Sequence, residues 1–365
     1  MSHSQKKILY LSIGGRLKLF EKDGPSEMFY GGREFVKDGH HFIIMEIDSN
    51  DYKFGVNIFI RIINVYFSKF FGFPIGFFWY MATQKKIIAE FNKYDQIIVT
   101  TSRLGLPLLL LKKFFKLDPY ITYITMGLVN RDTQVLKVWL YRMLISKEVN
   151  LIALGRSEAV YVESKLKTTV KYIPFGVDLD YWTPSEALNN SSNYIFSMGN
   201  DLRRDFSLLI DSWKSSYPKL IIITALPVSS NKENIEIKKG SWHGQEFSDS
   251  ELRDLYRGAQ FVIVPSKETQ QPSGQSVTLQ AMSCGKTVIY PNIEGIWDDI
   301  IMVDDDNLLL YKAGDSESLS KKIEYALSSS TNLIRIGSSA RKTVEREYSV
   351  KSMADNIFSS GNNFN

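Results

Sequence analysis

The chain has 365 residues, 44% of them hydrophobic and 23% charged, which excludes a disordered or fibrous protein and leaves room for two hydrophobic cores. Its single cysteine, Cys284, excludes an intrachain disulfide and shows no metal-ligand spacing with His3, His40, His41 or His243, so a reducing compartment fits and a zinc site does not. Through Asp180 the chain carries 25 Lys and Arg against 17 Asp and Glu, a net of +8, and thereafter 19 against 23, a net of −4; the basic half suits an anionic partner, lipid headgroups or phosphates, although chance surface charge explains it equally.

Lys6 and Lys7 precede an apolar run, Ile8 to Ile13, that is too brief for a signal peptide and ends in Gly14-Gly15. It reads as a first strand, Ile8–Ser12. Further strands are expected at Phe42–Glu46, Gln96–Thr100, Tyr120–Thr125, Leu151–Leu154 and Val170–Ile173, with helices at Ser26–Asp38, Gln84–Asn92, Leu104–Phe115, Gln134–Ser146 and Ser157–Leu166 between them. The uncharged stretch Phe70 to Gln84 is interrupted by Gly72, Pro74 and Gly76 and falls short of the roughly 20 residues a spanning helix needs. No segment is expected to cross a bilayer. Asn57–Ala82 interleaves Phe, Tyr, Ile and Trp with Arg61 and Lys69, and Leu108–Leu117 ends in Lys-Lys-Phe-Phe-Lys-Leu. Aromatics among cations suit an interfacial helix on anionic lipid; a core helix with snorkelling cations is the competing reading. Nucleic acid would ask for a denser basic face.

The alternation breaks at Pro174 to Pro184 and resumes with strands at Tyr194–Ser197, Leu220–Thr224, Ile235–Ile237, Phe261–Val264 and Thr287–Tyr290. Helices are expected near Asp205–Ser215, Asp249–Gly258 and Ser276–Cys284, then at Ser316–Leu327, Asn332–Tyr348 and Lys351–Phe358. The class is α/β with two Rossmann-like domains, 1–175 and 176–345, and a tail, 346–365, returning toward the first. Ligands of such sheets bind beyond the carboxyl ends of the strands, so a cleft faced by both domains is the expected site.

The most informative stretch runs from Val264-Pro265-Ser266 through Ser273-Gly274-Gln275-Ser276-Val277 to Cys284-Gly285: strand, polar loop, helix, glycine stop. Ser273 is the expected N-cap, and Gly274 lets a ligand approach the backbone. N–H groups of Gln275, Ser276 and Val277 would then face an anion such as a diphosphate, with the helix dipole helping. A plain capped core helix is the alternative.

This stretch resembles the donor-binding signature of the retaining glycosyltransferases of family 4, the glycosyl transferases group 1, whose Leu-Glu-Ala-Met-Ala-Cys-Gly helix reads here Leu279-Gln280-Ala281-Met282-Ser283-Cys284-Gly285. Similar to the same family are Gly24-Pro25-Ser26 with Tyr30-Gly31-Gly32, Ile173-Pro-Phe-Gly-Val-Asp178, Ser197-Met-Gly199 followed by Arg203-Arg204-Asp205, and Tyr256-Arg-Gly-Ala259. The resemblance implies a GT-B fold and transfer of a sugar from a nucleoside-diphosphate donor, a UDP-sugar first, without a required metal or other cofactor. It places the donor pyrophosphate on Arg204 and Arg203, with Gly24, Pro25, Gly199 and Asn200 lining the site. Gln280 stands where a glutamate accepts from the ribose hydroxyls, Pro272 where its companion glutamate lies, and Met126 where a histidine contacts the sugar. Either Glu268 or the backbone N–H groups of Gly274 and Gln275 with the Ser276 hydroxyl would then hold the sugar. Retention is usually explained by attack on the leaving-group face, with the phosphate taking the acceptor proton, which asks little of a protein base.

The expected partners are a lipid-linked or glycan acceptor and an anionic membrane surface, and the expected location is cytoplasmic, on the inner face of the cell membrane. A GT-B nucleotide-sugar epimerase and a degenerate, non-catalytic binding protein are the alternatives. A dinucleotide oxidoreductase is disfavoured because no G-x-G-x-x-G follows the first strand.

Overall fold

The computed structural model describes residues 5–47, 58–145, 148–185, 193–240 and 246–362. His3 and His243 lie outside them. The described residues form two compact units, Met1–Ile173 with Met353–Asn365, and Pro174–Ser352.

The first unit is built on six parallel strands: β1 (Lys7–Ser12), β2 (His41–Glu46), β3 (Gln96–Val99), β4 (Tyr120–Ile124), β5 (Val149–Ala153) and β6 (Val170–Tyr172), in the order β2-β1-β3-β4-β5-β6. Ile8 pairs with Phe42 on one side and Gln96 on the other. β3 and β5 are buried at every residue, as expected of strands covered on both faces. Leu9, Leu11, Ile97, Val99, Tyr123 and Leu151 form the core.

Its helices are α1 (Arg16–Phe20), α2 (Gly32–Lys37), α3 (Ile58–Phe71), α4 (Ile75–Thr83), α5 (Lys85–Phe91), α6 (Ser102–Phe114), α7 (Val135–Leu144) and α8 (Arg156–Leu166). The single helix expected over Ser26–Asp38 is split. A 3-10 turn at Glu27–Phe29 is followed by Tyr30 and Gly31, both with positive φ, before α2 begins. At Gly31, with φ 90°, an added Cβ would lie 2.6 Å from Ala354 Cβ, so the break lets the C-terminal helix close in. α1 was not expected. The aromatic segment up to Ala82 forms two helices separated at Gly72-Phe73-Pro74, and Leu108, Leu109 and Leu111 belong to the core while Phe114 and Phe115 are exposed.

The second unit has β7 (Tyr194–Met198), β8 (Lys219–Thr224), β9 (Ile235–Lys239), β10 (Val262–Ile263), β11 (Val288–Asn292) and β12 (Leu309–Lys312), parallel in the order β12-β11-β10-β7-β8-β9. β12 is the strand that sequence reading missed. Ile195, Leu209, Trp213, Leu220, Ile263, Ile289 and Leu309 form this core. Around it lie α9 (Phe206–Ser212), α10 (Asp249–Gly258), α11 (Gln275–Ser283), α12 (Ser316–Ser328) and α13 (Ser330–Glu347). α10 starts with a full capping box between Ser248 and Glu251.

Two contacts fix the end of α11. Arg341 Nη1 on α13 donates to Ser283 O at 2.8 Å and to Trp182 O at 2.9 Å, and Gly337 packs so closely on the Gly285 carbonyl that no Cβ fits. The Pro-Phe-Gly-Val-Asp segment is held equally closely: Val177 N–H donates to Tyr348 O at 2.8 Å and Val350 N–H to Val177 O at 3.0 Å. The last helix, α14 (Val350–Asn362), begins in the second unit and belongs to the first from Met353 onward. There Asn150 Nδ2 donates to Ser360 Oγ at 2.6 Å, and His40 stacks on Phe358 at 4.4 Å.

Candidate functional site

In the second unit, two loops at the carboxyl ends of β7 and β10 are zipped together. Arg204 and Ser266 form an antiparallel bridge, and Lys267 N–H donates to Arg203 O at 2.8 Å. This pairing draws the Arg204 side chain inward, to 6% exposure. It lies between two glycines of positive φ, Gly199 at 149° and Gly274 at 82°, and a Cβ on either would collide with the guanidinium. Glycine at both positions leaves room for this one side chain.

Arg204 Nη1 donates to Ser273 Oγ at 3.4 Å, and Ser273 Oγ donates to Asp201 Oδ2 at 2.8 Å. Tyr290 OH donates to Ser273 O at 2.7 Å. Arg204 Nε is buried without a partner among the described residues. Burial pulls the guanidinium below its usual range, opposed by Tyr290 and Asp201. Here a desolvated cation meets a carboxylate only through a serine hydroxyl.

α11 starts at this same point. Gly274, in the left-handed conformation, is its N-cap and offers no side-chain cap. Ser273, the expected cap, instead turns its hydroxyl to Asp201 because Arg204 and Asp201 meet there. Thr278 N–H makes the first helical bond, to Gly274 O at 2.9 Å; the N–H groups of Ser276 and Val277 precede it and have no partner among the described residues. Buried guanidinium and open amides together form a donor set for an anion.

The other residues named from sequence divide. Gln275 is buried beside Ser276 and Val277. Gln280 Oε1 already accepts from Tyr256 OH at 3.2 Å. Asn200 Oδ1 accepts from Ala225 N–H. Arg203 is exposed. Glu268, also exposed, accepts from Glu294 N–H at 3.0 Å. Gly24 and Pro25 lie in the first unit, where Arg33 donates to Gly24 O. Sequence reading missed Asp201 and Tyr290 and met Tyr256 only as part of a family segment; Asp201 carried one signal, a carboxylate two residues past a glycine at a strand end.

The first unit has its own cavity, of about 310 Å³, at the carboxyl ends of β3 and β4, lined by Ser102, Met126, Asn130, Asp132, Thr133 and Lys137 among others. Met126 is a non-glycine residue at φ 26° and half exposed. It is held by Tyr30 OH, which donates to its Sδ at 3.3 Å, and by the next residue, Gly127, whose N–H donates to Glu158 Oε1 at 2.6 Å. Glu158 Oε2 is buried without a partner among the described residues, and burial pushes this carboxyl up, opposed by the Gly127 and Thr125 hydrogen bonds.

Residues 201–329 match the family model described as glycosyl transferases group 1. No curated protein sequence matches the chain. Among solved structures it is similar to a glycosyltransferase from Rickettsia africae, at 14% identity and TM-score 0.69, with 98% of each chain covered. It is similar as well to Anabaena HepE in complex with UDP and glucose, at 14% identity and TM-score 0.69 over 98% of this chain and 99% of that one. Sucrose-phosphate synthase from Thermosynechococcus elongatus is similar at 15% identity and TM-score 0.67 over 97% and 98%. These likenesses establish the GT-B fold.

Proposed function

We propose that this chain, a GT-B glycosyltransferase whose second unit carries the group 1 match, takes a sugar from a nucleoside-diphosphate donor and passes it, with retention of configuration, to a lipid-linked or envelope-glycan acceptor at a membrane surface. The observation that carries the donor half is Arg204: a cation 6% exposed that has, among the described residues, no partner for its Nε and no carboxylate directly against it. Leaving such a group unpaired is costly, and a pyrophosphate held by Arg204 and the Ser276 and Val277 amides removes that cost. A UDP-sugar is the donor proposed, supported by the UDP-bound relative.

Transfer breaks the bond from the anomeric carbon to the diphosphate oxygen and forms one to the acceptor oxygen; the acceptor proton passes to the departing phosphate. Charge develops on the leaving group, where Arg204 and the α11 amides stabilise it. That division of labour fits a chain with Met126 and Gln280 where the resemblance implies a histidine and a glutamate. The membrane reading is supported by exposed Ile62, Val65, Tyr66 and Phe70 on α3, Trp79 on α4 and Phe114 at the end of α6, beside exposed Lys69, Lys113 and Lys116.

A panel of UDP-, GDP- and ADP-sugars with a lipid extract as acceptor is the test. Nucleotide release that rises with acceptor supports transfer, and release indifferent to acceptor counts against it. Gln280 and Met126 favour a second reading, donor binding without turnover; saturable UDP-sugar binding with no release under any acceptor would select it.

A further inference from the structure

We propose that the cavity of the first unit holds the phosphate-bearing head of an amphiphilic acceptor, with its hydrocarbon lying on the apolar lip formed by the end of α3 and the outer face of α7. This rests on the transferase reading above and assigns a class to its acceptor.

The cavity's size and lining limit what enters it. At about 310 Å³ it sits at the low end of small-molecule pockets, and hydroxyl, amide and charged groups dominate its wall. A polar head fits there; a hydrocarbon chain does not. Lys137 supplies the charge: it is half-buried, lines the cavity, and has no ion pair or hydrogen bond among the described residues. Gly72, at φ 80°, keeps the space beside it open, since a Cβ there would lie 2.9 Å from Tyr141 OH and 3.9 Å from Lys137 Nζ. Ser102, in the same wall, begins α6, whose first amides add positive potential. Asp132 is the carboxylate among the lining residues. It stands at the exposed rim, where solvent screens it and a sugar hydroxyl can donate to it.

The lip is apolar to an extent a free surface seldom shows. Val135 and Leu136, immediately before Lys137, are 85% and 50% exposed, and Trp139 and Met143 follow at 54% and 47%. Phe70, just before Gly72, is 53% exposed, and α3 and α7 are in contact. One ligand satisfies both surfaces: an anion joined to an alkyl chain.

The test is calorimetric titration of the full chain with decyl phosphate below its micelle concentration, decyl glucoside, inorganic phosphate and UDP. Decyl phosphate is expected to bind at least about tenfold tighter than either decyl glucoside or inorganic phosphate. Lys137→Met should weaken decyl phosphate by about tenfold or more and leave decyl glucoside unchanged. Val135→Ser with Leu136→Ser should weaken both alkyl probes and spare inorganic phosphate. Inorganic phosphate binding as tightly as decyl phosphate overturns the lip. Equal affinity for the two alkyl probes, unmoved by Lys137→Met, overturns the anion site. UDP separates the two proposals: UDP bound with decyl phosphate ignored removes this one alone, and decyl phosphate bound with UDP ignored removes the donor reading alone.

Discussion

Replacing Arg204 with methionine should weaken nucleotide binding while leaving the empty protein as stable as before or more so. The guanidinium is 6% exposed, its Nε has no partner among the described residues, and its bond to Ser273 Oγ is long at 3.4 Å. Burying a cation on such terms costs several kcal/mol, whereas the flexible apolar methionine fills the slot between Gly199 and Gly274 without a charge. A gain of about 0–2 kcal/mol follows, at about 2–4 °C of melting temperature per kcal/mol for a unit of this size. With UDP bound the balance reverses. A lost charge-assisted contact is worth about 1.5–3 kcal/mol, so affinity should fall roughly 10- to 150-fold and the UDP-induced thermal shift should shrink with it. Arg204→Lys, which keeps the charge but not the planar fork, should lie between. Calorimetric titration with UDP and thermal unfolding with and without it measure both quantities. If Arg204→Met destabilises the empty protein by about 2 kcal/mol or more while UDP affinity holds, Arg204 is a brace between two loops and not an anion ligand.

Gly274→Ala places a Cβ 2.5 Å from Val264 Cγ1 and against the Arg204 guanidinium, at φ 82°. It should add about 1–2 kcal/mol of backbone strain and lower UDP affinity at least about tenfold with helix content retained; an unchanged dissociation constant would show the guanidinium free to move. Burial raises the Glu158 carboxyl, so its contribution to stability is complete at acid pH, below the ordinary carboxylate value, and is lost as pH climbs through the raised folded value. Glu158→Gln keeps an oxygen for Gly127 N–H without a charge, so it should gain on the parent in urea unfolding as pH rises above the ordinary carboxylate range. A pH-independent difference would refute that. Cys284, pushed up to about 12 by burial, should resist iodoacetamide in the folded protein and react once urea unfolds it; equal rates would contradict its burial. Tyr66→Asp with Phe70→Asp should abolish flotation with anionic vesicles at low salt, and undiminished flotation would move the contact away from α3.

What sequence reading could reach follows from where the physical cause of each feature lies. Strands such as β3 and β5 were legible because their short runs of buried aliphatics, Ile97–Val99 and Leu151–Ala153, record their own environment. β12 was not, being four residues placed just after the acidic run Asp304–Asp306. The break at Tyr30-Gly31 escaped because its reason is Ala354, at the other end of the chain. The same separation divides the site residues. Ser273 and Gly274 were named from local pattern, as pieces of a helix start, and Arg204 from the family resemblance. That one guanidinium lies between Gly199 and Gly274, and that Ser273 turns to Asp201 instead of capping α11, are consequences of two loops zipping at Arg204 and Ser266. Glu158 is the converse case. In sequence it is one more charged residue near a helix start; in the fold it is a buried carboxylate because the Gly127 amide needs an acceptor there. A charge reads as solvated until its burial is known, so the residues that carry the most chemical information in this protein are those whose meaning local pattern conveys least.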